Sequence, residues 1–294
     1  MSDEMTTSRR AILTGGVATA ATLAASAASA NSMNPRVAPT SVKTDGRFVG
    51  KVVAVTGGNS GIGAATVRAF AMEGARVVFG ARRDALGREV ETGIRAAGGD
   101  VTWAQTDVRD PAQVERFIDT ATSTYGRLDV LFNNAGLFMT PGLIEDIEIA
   151  NFEDMMRTNT FGVFYGMKYA VPVMKAQGNG VIINMASVAA HRGFANTAHY
   201  NASKHAVLGL TRAGAQLAKD NIRVASISPL AVDTPMLEES FEYQGLTYEG
   251  MAGAFVTPRI MEPHEMAEGV MFLASDAATA FNGMDLDATG GQLA

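Results

Sequence analysis

The sequence predicts an α/β fold, with a doubly wound, mostly parallel sheet covered by helices on both faces. Two observations support this prediction. Short apolar, β-branched runs alternate with longer stretches of helical spacing along most of the chain. In addition, the first apolar run leads into a glycine-rich turn at residues 57–63, and this turn leads into a helical stretch.

The elements follow one another in the order that such a sheet requires. Strands are predicted at residues 51–55, 76–79, 101–106, 128–132, 181–184 and 284–288. Helices are predicted at residues 64–73, 84–97, 111–124, 151–176 and 263–274. Asp110 and Pro111 mark the start of the third helix, because Asp favours the cap position and Pro the first turn. Ligands of such sheets bind beyond the carboxyl ends of the strands.

The composition excludes several classes of protein. Nearly half of the 294 residues are apolar and 18% are charged, so the chain can bury a substantial core. The net charge of −6 and the lack of a basic tract argue against a nucleic-acid partner. The chain has no cysteine, which excludes disulfides and thiol catalysis. No catalytic metal is expected, since the spacing of the histidines is not that of a metal site: His191, His199, His205 and His264.

Residues 1–30 have the order of an export signal. Arg9 and Arg10 precede a mildly apolar run at residues 14–28, and small residues before Asn31 offer a cleavage site. The paired arginines resemble a twin-arginine signal, the type that exports folded proteins, so a periplasmic location is expected. The alternative is an unprocessed extension on a cytoplasmic protein.

The segment between this signal and the fold is interpreted as a linker. Residues 31–47 are polar and contain two prolines, and the folded domain is predicted at residues 48–294. No stable membrane anchor is expected, because the apolar run before the linker is shorter than the ~20 residues that a spanning helix needs.

The glycine-rich turn is interpreted as a phosphate-binding loop. Glycines let the backbone approach a ligand closely, and the free N–H groups at the start of the next helix face an anion. A tight turn without a ligand is the alternative, but the position between strand and helix favours dinucleotide binding. The candidate cofactor-binding residues of this loop are Gly57, Asn59, Ser60, Gly61, Ile62 and Gly63.

Tyr200 and Lys204 are candidates for acid–base catalysis. Four residues apart on a helix, they lie on the same face. A lysine ammonium near a phenol favours the phenolate, so the Tyr200 pKa is expected to be lowered. Ser187, a little upstream, could hydrogen-bond a substrate oxygen. An exposed tyrosine beside a solvated lysine is the alternative for the pair taken alone.

Four features, in this order, resemble the short-chain dehydrogenase/reductase family. They are the Thr56 to Gly63 glycine loop, the Asn133-Asn134-Ala135-Gly136 segment, Ser187, and Tyr200 with Lys204. The resemblance runs from about residue 50 to the C-terminus. It implies a single-domain, Rossmann-type fold with a seven-stranded sheet. The implied enzyme is an NAD(P)-dependent oxidoreductase that interconverts a carbonyl and a secondary alcohol by hydride transfer.

The resemblance also assigns roles to individual residues. Tyr200 is implied as general acid/base, Ser187 as the group that polarises the substrate oxygen, and Asn159 as support for a proton relay. Lys204 is implied to lower the Tyr200 pKa and to hold the nicotinamide ribose. Further cofactor contacts are implied for Asp107, Val108, Asn134, Ala135, Gly136, Pro229, Val232 and Thr234. Leu230 stands where the family usually has glycine.

NADP is the expected cofactor, with NAD as the alternative. A carboxylate at the end of the second strand would bind the adenosine ribose of NAD. This chain has Arg82 and Arg83 there, and an arginine fork suits a 2′-phosphate. The competing interpretation is that both arginines are solvated.

The substrate is expected to be a small, apolar carbonyl compound or alcohol. Residues 235–261 resemble the variable lid of the family and are rich in apolar side chains and methionine. For His191, Arg192 and His199, a surface or core role is favoured over substrate contact. The alternatives to the leading function are a 3-oxoacyl reductase and a non-catalytic NADP-binding sensor. A homo-tetramer or homo-dimer is implied by family resemblance.

Overall fold

The structure, a computed structural model, describes residues 41–294. The predicted export signal and residues 31–40 of the predicted linker lie outside the described residues. Seven parallel strands form one sheet in the order β3-β2-β1-β4-β5-β6-β7, which confirms the predicted fold class. The strands are β1 Val52–Thr56, β2 Arg76–Ala81, β3 Asp100–Gln105, β4 Val130–Asn133, β5 Gly180–Met185, β6 Ile222–Pro229 and β7 Asp285–Ala288.

Helices cover both faces of this sheet. They are α1 Gly61–Met72, α2 Asp84–Ala96, α3 Pro111–Tyr125, α4 Ile149–Met156, α5 Gly162–Gln177, α6 Ala198–Gly214, α7 Pro235–Gln244, α8 Tyr248–Ala252 and α9 Pro263–Ala274. Because successive side chains of a strand point to opposite faces, Val53 and Val55 pack with α1 and α9, whereas Val52 and Ala54 pack with α3 and α5. Two apolar cores therefore fix the sheet between its helical layers.

The strand order reverses direction between β1 and β4. From β1 the order runs outward to β3 on one side, and from β4 to β7 on the other. In doubly wound sheets this reversal opens a crevice beyond the carboxyl ends of the two central strands. The glycine loop after β1 and the Asn134 segment after β4 lie at this crevice.

The helix predicted at residues 151–176 is interrupted. A π-helical turn, Arg157–Phe161, joins α4 to α5. Its residues Thr158, Asn159 and Thr160 are buried, and Thr160 Oγ1 donates to the Ser203 carbonyl of α6 at 3.1 Å. A π turn widens the helix by one residue and is frequent at functional sites. Here the π turn directs this buried polar segment toward α6, and the helix continues beyond it.

The folded body extends into the predicted linker. The Lys43 ammonium donates to Glu73 Oε1 at 2.7 Å, and the Arg47 N–H donates to Glu73 Oε2 at 3.0 Å. Phe48 is buried and packs edge-on against Phe70, with ring centroids 4.7 Å apart. These contacts attach residues 43–48 to the end of α1.

Candidate active site

One cavity of about 700 Å³ lies beyond the carboxyl ends of the central strands. Every predicted cofactor-binding residue from Gly57 to Thr234 lies in its lining. Ser187, Tyr200 and Lys204 lie there as well, so three of the four predicted catalytic residues meet at one cavity. The fourth, Asn159, is 1% exposed and lies behind the lining.

Two chain segments, the one after β1 and the one after β4, pack closely against each other at this cavity. Thr56 Oγ1 accepts hydrogen bonds from the N–H groups of Asn134 at 3.0 Å and Ala135 at 3.1 Å, which ties the segment after β4 to the end of β1. A Cβ added to Gly63 would lie 2.1 Å from the Gly57 carbonyl oxygen. Only glycine therefore fits at residue 63 in this close approach.

The N-terminus of α1 faces the cavity with free backbone donors. Its N-cap residue, Ser60, makes no side-chain hydrogen bond to the helix. Instead, Ser60 Oγ accepts a hydrogen bond from Arg83 at 2.9 Å. Unpaired N–H groups at a helix start attract anions. Together with the glycine loop, these donors fit the phosphates of a dinucleotide.

Tyr200 is presented by the first turn of α6. Its ring packs edge-on against Phe138, with centroids 5.1 Å apart, and its hydroxyl lies within hydrogen-bonding reach of Ser187. Burial raises the pKa of Tyr200, and the hydrogen bond with Ser187 acts in the opposite direction. The expectation that the Tyr200 pKa is lowered is therefore wrong, since desolvation of the phenolate dominates.

Lys204 lies one helical turn beyond Tyr200. Its ammonium is 5.7 Å from the centroid of the Tyr200 ring and donates to the Met185 carbonyl at 2.9 Å. Burial lowers the pKa of Lys204 to about 8. The lysine is thus held against the end of β5, on the tyrosine side of the cavity, where its charge is poorly solvated.

Asn159 joins the cavity wall to α6. The Asn159 amide nitrogen donates to the Leu137 carbonyl at 3.0 Å and to Ser203 Oγ at 3.1 Å. Leu137 lies in the cavity lining, and a Cβ on the neighbouring Gly136 would lie 3.3 Å from Asn159 Oδ1. Asn159 therefore supports the loop that faces Tyr200.

Arginines dominate the end of the cavity beside β2. Arg82 and Arg83 are exposed and line it. The nearest acidic residue in sequence, Asp84, is occupied elsewhere: its carboxylate accepts from Trp103 Nε1 at 2.8 Å and from Arg88 Nε at 2.9 Å. Asp107 lines the cavity but is paired with Arg109, at 2.6 Å.

The opposite end of the cavity is largely apolar. It is lined by residues of the predicted lid, namely Met236, Leu237, Phe241, Met251 and Phe255. Leu230 also lies in the lining, directly after β6. Tyr243, another lid residue, instead donates to Glu239 at 2.6 Å.

Several residues of this lining are not predicted by the sequence. Phe138 comes shortly after the Asn133-Asn134-Ala135-Gly136 segment, so its position after β4 could have indicated that it lies at the cavity. Phe194 and Gln292 belong to no motif that would have indicated this. Arg192, for which a surface or core role is favoured, is exposed and also lies in the lining, whereas His199 is fully buried.

Two kinds of feature are not found in the part of the chain that the structure describes. Within residues 41–294, no group of three or more His, Cys, Asp or Glu side chains is arranged to hold a metal ion. In the same range, no helix combines the length and the apolar character that crossing a membrane requires.

A doubly wound sheet with this cavity, and with a Ser-Tyr-Lys set in its wall, defines an oxidoreductase that uses a dinucleotide. Comparison with known proteins agrees. Residues 57–292 match the family described as enoyl-(acyl carrier protein) reductase. The chain belongs to the short-chain dehydrogenase/reductase family.

Individual relatives resemble most of the chain. A 3-alpha-(or 20-beta)-hydroxysteroid dehydrogenase of Mycobacterium bovis is 38% identical over 250 residues, which cover 85% of this chain and 92% of the relative. The crystal structure of levodione reductase superposes with a TM-score of 0.81 at 34% identity, covering 84% of this chain and 98% of that one. A structure of ElxO with bound NADP gives a TM-score of 0.77 at 29% identity, covering 83% and 98%. The protein is an NAD(P)-dependent oxidoreductase that interconverts carbonyl and alcohol groups.

Proposed function

We propose that the enzyme interconverts a ring ketone with an apolar body and its secondary alcohol, with NADP(H) as cofactor and Tyr200 as general acid/base. The observation that carries this proposal is the arrangement of one cavity. Ser187, Tyr200 and Lys204 lie in its wall, the arginines beside β2 line one end, and apolar lid residues line the other. The relatives named for a hydroxysteroid and for levodione support a ketone or alcohol of this kind.

The proton chemistry follows from the positions of the side chains. In the reductive direction Tyr200 donates its phenolic proton to the carbonyl oxygen, and Ser187 donates a hydrogen bond to the same oxygen. The raised pKa of Tyr200 keeps the phenol protonated at neutral pH, which is the form that an acid needs. NADPH held by the glycine loop and the segment after β4 would provide the hydride that the carbonyl carbon needs.

Lys204 and Asn159 assist this proton transfer without exchanging a proton with the substrate. The Lys204 ammonium stabilises negative charge on the Tyr200 oxygen after the proton has left. Asn159 holds the backbone of Leu137, and the next residue, Phe138, packs against the Tyr200 ring, so that the reacting carbonyl and the phenol stay aligned. In the oxidative direction the same groups act in reverse, with Tyr200 as base.

The test is NADPH oxidation with a panel of cyclic ketones, run beside Tyr200→Phe. Turnover is expected in the wild type, and the variant is expected to lose it by at least about 100-fold because the proton donor is gone. NADPH binding to the variant should remain, as measured by fluorescence titration. Near-normal turnover by Tyr200→Phe would refute the assignment of the acid.

Two other functions are less well supported. The relatives described above are named for a hydroxysteroid and for levodione, so a 3-oxoacyl substrate is not favoured. A non-catalytic sensor would not need Ser187, Tyr200 and Lys204 together at the cavity, yet all three are present.

Self-association is a further part of the proposal. Four large apolar side chains on α4, the π turn and α5 are exposed: Ile149, Phe152, Phe161 and Phe164. Exposed apolar patches of this kind mark interfaces. A homo-dimer or homo-tetramer is therefore proposed, and Phe164→Asp should lower the molar mass measured by light scattering. An unchanged mass would argue against this face.

Export is proposed from the sequence of the first thirty residues. The arginine pair and the small residues before Asn31 support cleavage after export of the folded enzyme with its cofactor. Cell fractionation followed by sequencing of the mature N-terminus tests this. A cytoplasmic chain that still starts at Met1 would contradict it.

A further inference from the structure

The cavity of this acidic protein is cationic. Its lining contains Arg82, Arg83, Arg192 and Lys204, against the single carboxylate of Asp107, which is already paired with Arg109. The chain as a whole carries a net charge of −6. A cleft lined by one sign of charge concentrates ligands of the opposite sign.

Three of these four cations have a role in the proposed cofactor site or in catalysis. Arg82 and Arg83 lie at the β2 end, and Lys204 is held against β5 beside Tyr200. Only the fourth cation, Arg192, has no role so far. Arg192 belongs to the loop that joins Ser187 to Tyr200, and its backbone N–H donates to the Val188 carbonyl at 3.3 Å. This is a backbone bond, so the main chain of Arg192 is fixed to the turn that follows the catalytic serine.

The orientation of Arg192 leaves its donors available. Its guanidinium lies over the ring of Phe194, 5.0 Å from the centroid, and Phe194 also lines the cavity. Stacking occupies the flat face of a guanidinium and leaves the N–H groups at its edge free for a bidentate acceptor. Among residues 41–294, Arg192 makes no ion pair with an acidic side chain.

We propose that the substrate carries a carboxylate, and that Arg192 binds it at the mouth of the apolar end of the cavity. This inference rests on the proposed function, since it names the chemical class of the same substrate. A ring ketone with an acidic substituent would place its apolar body against Phe241 and Met251 and its charge at Arg192. The edge of the guanidinium matches the two oxygens of a carboxylate.

The first test is a binding measurement that needs no turnover. Cyclohexanecarboxylate and its neutral match, cyclohexanecarboxamide, are titrated calorimetrically into the full-length enzyme with NADPH bound. The wild type should bind the carboxylate about 10-fold more tightly or better, as expected for a charged hydrogen bond. In Arg192→Gln the two affinities should become equal, while Arg192→Lys should keep part of the difference.

Arg212→Gln is the matched control. Arg212 is exposed on α6 and lies outside the cavity lining, so this variant should keep the full preference for the carboxylate. The same preference in Arg192→Gln as in the wild type, or equal binding of both probes by the wild type, would overturn the inference.

A kinetic comparison separates this inference from the proposed function. The substrates are a cyclohexanone with a carboxylate substituent and its methyl ester. Arg192→Gln should lower kcat/KM for the acid about 10-fold or more and leave that for the ester within about twofold. If neither ketone is reduced but the Arg192-dependent binding persists, the proposed ketone chemistry fails and the carboxylate site stands.

Discussion

Asn159 and the backbone of Leu137 hold each other through two hydrogen bonds. The Leu137 N–H donates to Asn159 Oδ1 at 2.8 Å, and Asn159 Nδ2 donates back to the Leu137 carbonyl at 3.0 Å. Asn159 lies on the π turn, and Leu137 lies in the wall of the cavity. A buried amide thus fixes the loop between β4 and α4 relative to the catalytic helix α6.

Asn159→Ala should therefore reduce both stability and activity. The lost hydrogen bonds leave the backbone groups of Leu137 without their side-chain partner, so the free energy of unfolding should fall by ~1–3 kcal/mol. Loosening the loop should lower kcat more than it raises KM for NADPH. Urea unfolding and steady-state kinetics measure the two effects. A variant with normal kcat would show that the loop needs no such support.

Arg82 and Arg83 should set the cofactor preference. The wild type is expected to bind NADPH more tightly than NADH, because the 2′-phosphate can pair with exposed guanidinium groups and the Asp84 carboxylate is engaged with Trp103 and Arg88. Arg82→Ala with Arg83→Ala should weaken NADPH binding ~10- to 100-fold and leave NADH binding nearly unchanged.

The control for the cofactor experiment is Arg116→Ala. Arg116 is exposed on α3 and lies outside the cavity lining, so the NADPH to NADH ratio should stay as in the wild type. Fluorescence titration gives both dissociation constants. Tighter binding of NADH by the wild type would reject the NADP preference.

Gly63→Ala should weaken cofactor binding. The added methyl would lie 2.1 Å from the Gly57 carbonyl oxygen and 2.6 Å from Asn134 Nδ2, so the glycine loop must move. We expect a loss of ~1–3 kcal/mol in stability, as for overpacking elsewhere, and weaker NADPH binding. Gly209→Ala is the matched control, because a Cβ there meets no atom within 4 Å and Ala favours a helix. Equal behaviour of the two variants would contradict the steric argument.

The sequence predicted what is local and periodic. The glycine loop, the segment after β4, and Tyr200 with Lys204 are each set by a few neighbouring residues, and all of them line the cavity as predicted. The strands and helices that were predicted agree with the structure to within a few residues for the same reason, since hydrophobic period and capping are local signals. Strand β6 and the helices α7 and α8 were not predicted.

Long-range packing accounts for what the sequence did not predict. The π turn at Asn159 depends on contacts with α6, which lies about forty residues further along the chain. The raised pKa of Tyr200 comes from burial, whereas the spacing to Lys204 showed only a neighbouring charge. Arg192 reaches the cavity because the chain between Ser187 and Tyr200 folds over it, and no motif marks that path.

Glu73 should stabilise the fold in a pH-dependent way. Burial alone would raise the pKa of Glu73, but hydrogen bonds from Lys43 and Arg47 outweigh it and lower the pKa to about 2. A carboxylate with a lowered pKa stabilises the folded state above its ordinary pKa of 4.5, and this contribution is lost as the pH falls from 4.5 toward 2.

Glu73→Gln should therefore lower the free energy of unfolding by ~1–3 kcal/mol at pH 7, with a smaller difference at pH 3. Glu268→Gln is the control: its side chain is 41% exposed and pairs with the same Arg47, so its effect should stay below ~1 kcal/mol. Urea unfolding at the two pH values measures both variants. A difference that does not shrink in acid would show that packing, not charge, makes Glu73 important.

Lys204 should oppose stability at neutral pH, because its buried ammonium is poorly solvated. Burial lowers its pKa from 10.5 to about 8, so the charged form is disfavoured in the folded state. This penalty is fully present below pH 8, decreases as the pH rises from 8 to 10.5, and is absent above the unfolded pKa.

Lys204→Met keeps much of the side-chain volume and removes the charge. Removing the buried charge should raise the free energy of unfolding at pH 7 by ~1–3 kcal/mol, and losing the hydrogen bond to Met185 should offset part of this increase. The increase should become smaller toward pH 10, where the folded wild type is largely uncharged at Lys204. The same variant should lose turnover, because the charge that supports proton transfer from Tyr200 is gone. Thermal unfolding at pH 7 and pH 10 measures the stability change. A variant less stable than the wild type at pH 7 would mean that the hydrogen bond to Met185 outweighs the burial of the charge.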